Sequence, residues 1–143
     1  ENVYIATENS KIANIVKQAG YNVVITSDLC LTGTDRVAEA SYEINADIFV
    51  NVQGDEPMID PDDIKKAIKL KQDNSDYVIN CMSKLHKDED PFDKKIPKII
   101  YDLQNEIIRC IEKGIKVKMM EVNKVSYAVD YPEDIKVIEK YEI

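Results

Sequence analysis

At 143 residues, 44% hydrophobic and 32% charged, the chain is long enough for one domain with its own core and too apolar for intrinsic disorder. Its formal net charge of −8 supplies no basic footprint and argues against a nucleic-acid partner, while a single nucleotide held through a metal and backbone amides stays compatible. No apolar run approaches the roughly 20 residues of a membrane span, and no signal-peptide pattern is present, so neither a membrane partner nor export is expected.

The predicted elements alternate along the chain. Val3 to Ala6 is a short apolar run and hence a buried strand. Asn9 or Ser10 caps a helix with Ile12, Ile15 and Val16 at helical spacing, and Gly20 stands just past its end. Asn22 to Ile25 is a second strand, and Asp35 to Asn45 is a helix with Val37, Ala38, Ser41 and Ile44 on one face. Ile48 to Val52 is expected to be the central strand. Pro61 suits the first turn of a helix running to about residue 72, with Asp60, Asp62 and Asp63 at its positive end and Ile64, Ala67, Ile68 and Lys71 at helical spacing.

Tyr77 to Cys81 is the next strand. Lys84 to Asp93, which holds Pro91 and the single histidine His86, is a polar loop, and Lys98 to Tyr101 is short and β-like. A helix over Leu103 to Glu112 is stopped by Gly114. Val117 to Val122 and Val125 to Val129 are strand-like, and a last amphipathic helix follows through Ile135, Val137, Ile138 and Tyr141. This alternation predicts an α/β fold, a mostly parallel sheet with helices on both faces. The three cysteines, Cys30, Cys81 and Cys110, show no metal-ligand spacing, which predicts buried thiols in a reducing, cytoplasmic compartment.

Three stretches carry chemistry. Asn51-Val52-Gln53-Gly54-Asp55-Glu56-Pro57 follows the apolar run Ile48-Phe49-Val50, so two acids sit in a glycine turn beyond a strand end. That is where ligands gather in an open α/β sheet. Such a turn is either a solvated surface turn or a place where an acid holds a metal against a phosphate. Leu31-Thr32-Gly33-Thr34-Asp35-Arg36 joins a strand to a helix. Thr32 or Thr34 caps the helix, and Gly33 permits close backbone approach; the segment is either a plain capped turn or an anion site. Asp130 follows a predicted strand and precedes Pro132, as a helix cap or as a partner to Asp55. Two carboxylates sharing one Mg²⁺ is a standard arrangement, because Mg²⁺ takes few protein ligands and keeps its waters.

These strings, with Val129-Asp130-Tyr131-Pro132-Glu133-Asp134, stand in the order found in 3-deoxy-manno-octulosonate cytidylyltransferases, the CMP-KDO synthetases, and the chain resembles that family along nearly all its length. The resemblance implies a nucleotide-diphospho-sugar transferase type of fold. It implies transfer of CMP from CTP to KDO with release of pyrophosphate, for lipopolysaccharide or capsule sugar activation, in a homodimer. It makes Asp55 and Asp130 the catalytic Mg²⁺ ligands. It places Thr32, Gly33 and Arg36 near the cytidine, Gln53 facing sugar or nucleotide, and Glu106, within Glu106-Ile107-Ile108-Arg109, at the sugar. Departures are Thr32 for a serine, Asp35 for a glutamate, Ile107 for a glutamine, Tyr131 for a threonine, and Cys30 and Leu31 where the family is more polar.

Two family segments have no counterpart: a basic Ser-x-Arg-Leu-Pro-Gly-Lys loop that holds the triphosphate, and a middle section at the Asp102–Leu103 junction. The expectation is therefore a single nucleotidyltransferase domain over residues 1–143 without those parts. Two other functions fit the strings: CTP-dependent activation of another acidic sugar of the sialic type, and a non-catalytic nucleotide-binding module.

Overall fold

The computed structural model of the protein describes residues 2–83, 106–122, 128–129 and 131–140. Its contacts group into two compact units, Glu1–Gln53 and Gly54–Ile143.

In the first unit, β1 (Tyr4–Thr7), α1 (Ser10–Gln18) and β2 (Asn22–Ile25) form a βαβ hand, and α2 (Gly33–Ser41) follows. β1 and β2 pair in parallel from Tyr4↔Asn22 to Thr7↔Ile25. Asn9 caps α1 by accepting the Lys11 N–H at 2.9 Å, and Gly20 beyond its end takes φ +83, a conformation that side chains rarely adopt. The helix lays buried Ala13 and half-buried Val16 inward, and leaves Ile12 and Ile15 exposed.

Thr32 rather than Thr34 caps α2, so the helix begins earlier than expected. It also ends earlier. The Tyr42 and Glu43 N–H groups turn back to the Glu39 and Ala40 carbonyls, a tightened last turn that stops propagation before Asn45. Ala40 is its buried residue, while Ala38, expected on the apolar face, is exposed.

In the second unit, α3 (Pro61–Asp73) starts with Asp60 as cap and Pro61 in its first turn. Ile64, Ala67, Ile68 and Lys71 are half-buried, as their spacing predicts, and Asp63 is buried in an ion pair with Lys66 at 2.8 Å. The Lys71 Nζ closes the turn into β3 (Tyr77–Met82) by donating to the Ser75 and Tyr77 carbonyls. After α4 (Glu106–Glu112), Gly114 at φ +72 leads to β4 (Lys116–Glu121), which pairs with β3 in parallel from Tyr77↔Lys116 to Met82↔Glu121. α5 (Ile135–Ile138) closes the described chain and buries Ile138.

The expected central strand, Ile48 to Val52, is not a strand. A buried parallel strand needs ladder partners, and neither described pair includes this segment. Phe49, Val50 and Val52 are accordingly about 40% exposed instead of buried (42%, 41% and 41%). Ala128 and Val129 likewise carry no ladder, and the rest of that expected strand lies outside the described residues. So do the Lys84 to Asp93 loop with His86, Lys98 to Tyr101, the Asp102–Leu103 junction and Tyr141.

The cysteines depart from expectation too: Cys81 is exposed, and Cys30 and Cys110 are half-buried. Cys81 is the next-to-last residue of β3, and Cys30, in a loop, is engaged by the Glu39 carboxylate rather than by a core. None of the described helices is long and apolar enough to cross a membrane.

Candidate active site

The carboxyl ends of β1 and β2 are held by one side chain from α2. The Arg36 Nη1 pairs with Glu8 Oε2 at 2.6 Å, donates to the Thr26 hydroxyl at 2.6 Å and to the Ser27 carbonyl at 3.3 Å. Glu8 directly follows β1, and Thr26 and Ser27 directly follow β2, so one guanidinium nitrogen ties two strand ends to a helix start. Thr26 and Thr7 are both buried at this edge, and the Thr26 N–H bonds the Thr7 carbonyl at 3.1 Å.

The start of α2 is a reciprocal cap. The Thr32 hydroxyl oxygen accepts the Asp35 N–H at 3.1 Å and donates to the Asp35 carboxylate at 2.9 Å. A Cβ added to Gly33 would meet nothing within 4 Å, so a ligand finds open space against that backbone. The Asn51 amide donates to Thr34 Oγ1 at 3.0 Å, tying Asn51 to the start of α2 within the first unit. Gln53 is exposed.

Sequence reasoning missed Glu39. Its carboxylate accepts the Ser27 N–H at 2.7 Å and the Cys30 thiol at 3.0 Å. Those two bonds, the thiol first, hold its pKa below the ordinary glutamate range, and the carboxylate in turn pushes the Cys30 thiol up. The available signal was spacing: Glu39 is i+3 from Arg36 and shares its helix face.

In the second unit, Asp55 lies exposed in the turn after Gly54, with Glu56 half-buried beside it. The Glu56 carbonyl accepts the Ile59 N–H at 3.4 Å, a main-chain bond that closes the next turn. The Asp55 carbonyl accepts the Val129 N–H at 2.7 Å, so the turn is bonded to the residue immediately before Asp130. Asp130 itself and the Glu106 side chain lie outside the described residues. The turn beyond is closed by Asp134, whose carboxylate accepts the Tyr131 N–H at 2.9 Å. Among the described residues, no cation forms an ion pair with Asp55, and no group of three or more His, Cys, Asp or Glu is placed to hold a metal.

A family model described as Cytidylyltransferase matches residues 1–139. The chain belongs to the cytidylyltransferase family. Among its relatives, the 3-deoxy-manno-octulosonate cytidylyltransferase of Francisella tularensis subsp. tularensis (strain FSC 198) is 38% identical over 109 residues, covering 73% of this chain and 44% of the relative. The protein of the same name from Chlorobaculum tepidum is 48% identical over 66 residues, covering 46% of this chain and 27% of the relative. The chain thus spans less than half the length of these curated relatives. A solved structure of CMP:2-keto-3-deoxy-manno-octonic acid synthetase complexed with CTP superposes with a TM-score of 0.80 over 99% of this chain and 80% of that one, at 19% identity. That likeness establishes the fold, an α/β arrangement with parallel strands of the nucleotide-diphospho-sugar transferase type.

Proposed function

We propose that this cytidylyltransferase transfers CMP from CTP to KDO and releases pyrophosphate. Two bonds support this reading, each within its own unit: Asn51 bonds Thr34 at the start of α2 in the first, and the Asp55 carbonyl accepts the N–H of Val129, the neighbour of Asp130, in the second. The name shared by the curated relatives supplies the sugar and the cytidylyl transfer, and the solved structure of similar fold holds CTP.

The anomeric hydroxyl of the sugar attacks the α-phosphorus of CTP in line. The new O–P bond forms as the bond to the β-phosphate oxygen breaks, so catalysis consists of positioning and charge stabilisation. Asp55 and Asp130 would hold the Mg²⁺. The donors fit it, being hard carboxylate oxygens, with Asp55 exposed and bonded through its backbone to the neighbour of Asp130. When bound, Mg²⁺ supplies neutralisation of the α-phosphate and acidifies the attacking hydroxyl. The start of α2 offers amides beside the open face of Gly33 to anionic or polar parts of the nucleotide. Arg36, engaged with Glu8, Thr26 and Ser27, fixes the strand ends around that start, and Gln53 and Glu106 belong to the substrate side.

We further propose a cytoplasmic setting, whose reducing conditions suit three free cysteines, and a homodimer, for which sedimentation velocity is the test. The deciding assay is pyrophosphate release by the full-length protein with CTP, Mg²⁺ and an acidic-sugar panel. KDO-dependent release is expected. Release with a sialic-type acid but not with KDO would reassign the sugar, and no release with any acid would remove the enzymatic reading.

A further inference from the structure

We infer that Glu39 is a positioning residue for nucleotide binding, acting by clamping the loop between β2 and α2 from the helix side. This rests on the cytidylyltransferase reading above.

The loop Thr26–Leu31 has no regular structure, yet its groups are held. The Ser27 main chain is held on both sides, its carbonyl by Arg36 at 3.3 Å and its N–H by Glu39 at 2.7 Å. Ser27 Oγ accepts the Leu29 N–H at 3.0 Å, and the Cys30 thiol donates to the second carboxylate oxygen of Glu39 at 3.0 Å. Arg36 and Glu39 stand one helical turn apart on α2. The same helix therefore carries the nucleotide-side residues Thr32 and Gly33 at its start and the clamp one and two turns along.

The clamp also sets what the loop presents. With Cys30 anchored to the helix, its neighbours Leu29 and Leu31 are left 81% and 91% exposed. Leu31 leads directly into the capping residue Thr32, so the entry angle of the chain into α2 depends on where Cys30 is tied. Glu39 accepts two donors that Arg36 cannot accept, since a guanidinium has no acceptor. Loss of Glu39 therefore frees the loop while leaving the Arg36 contacts to Glu8 and Thr26 in place.

The test uses the full-length protein with Glu39→Ala and Glu39→Gln, the latter retaining an acceptor for the Ser27 N–H. Calorimetric titration with CTP is expected to show affinity lowered by about tenfold in Glu39→Ala and by less in Glu39→Gln, the scale of one lost charge-assisted hydrogen bond. KM for CTP should rise in step while kcat stays within about threefold, the pattern of lost binding common to ground and transition states. Alkylation of Cys30 by iodoacetamide, read by peptide mass spectrometry, should quicken in both variants and be slowed by CTP in the parent.

Unchanged CTP affinity in both folded variants would overturn the inference, as would a fall in kcat with KM unchanged. Should Glu39→Ala fail to fold, Glu39→Gln carries the same comparison. A parent protein that binds no CTP, with Cys30 alkylation still quickened by Glu39→Gln, would overturn the functional reading while leaving the clamp itself as described.

Discussion

The carbonyl of Asp55 accepts the N–H of Val129 at 2.7 Å, although the two residues lie far apart along the chain. The bond fixes the Asp55 turn next to the segment that continues into Asp130. In the full-length protein, Asp55→Ala and Asp130→Ala are expected to lower CMP-sugar formation by at least roughly 100-fold, the scale on which single electrostatic stabilisers act, with circular dichroism unchanged. Turnover near that of the parent in either variant would remove the metal role.

Arg36 is expected to tolerate no conservative replacement. Arg36→Lys keeps the charge, but the lysine ammonium ends one bond short of Nη1, the nitrogen that serves Glu8, Thr26 and Ser27, and the side chain is only 19% exposed. Urea denaturation should show a loss of about 1–3 kcal/mol. A loss within error would mean that the shorter ammonium, or water, serves the Nη1 partners at no cost.

Thr32→Ala should destabilise the protein by about 1 kcal/mol, because the Asp35 N–H loses its cap, and Thr32→Ser should be nearly neutral. Thermal melts of the pair separate a cap from a packing role: a cap is restored by serine, whereas a methyl contact is not.

Lys116 pairs with Asp76 at 3.0 Å and sits 5.4 Å from the Tyr77 ring centroid, at the first rung of the β3–β4 ladder. The Lys116 ammonium holds Asp76 below the ordinary carboxylate range, and Asp76 holds Lys116 above the ordinary amine range. Asp76 is lowered on folding, so its contribution is present above its unfolded pKa and is lost as pH falls through the folded value. Lys116 is raised, so its contribution is complete below its unfolded pKa and disappears as pH rises through the folded value. Denaturation midpoints of Asp76→Asn against the parent should differ at neutral pH and converge at the acid end. The difference should also shrink in high salt, since both side chains are largely exposed. A difference that persists in strong acid would contradict the pairing.

Elements with local signals were legible in the sequence. Asn9 or Ser10, Thr32 or Thr34, and Pro61 marked three helix starts, which the structure resolves to caps at Asn9, Thr32 and Asp60; Gly20 and Gly114 marked two stops, and the parallel pairs followed from alternation. Ile48 to Val52 misled because an apolar run states that a segment can be buried and not whether a ladder partner exists for it. Along α2, the apolar spacing pointed to Ala38, while the polar face of Arg36 and Glu39 did the docking, onto loop backbone that no hydrophobic period reveals. The site strings were legible as strings, and their pairing through Asn51–Thr34 and Asp55–Val129 was not, since one such contact runs through main-chain atoms that every residue shares.

The parallel register of β3 and β4 has an evolutionary consequence. Parallel neighbours must be joined by a crossover, and the rungs from Tyr77↔Lys116 to Met82↔Glu121 are indifferent to how long that detour is. Closing a longer detour costs little, since the entropy grows only with the logarithm of its length. The stretch between these strands is therefore a place where members of the family can gain or shed whole segments while every rung of the ladder stays in step.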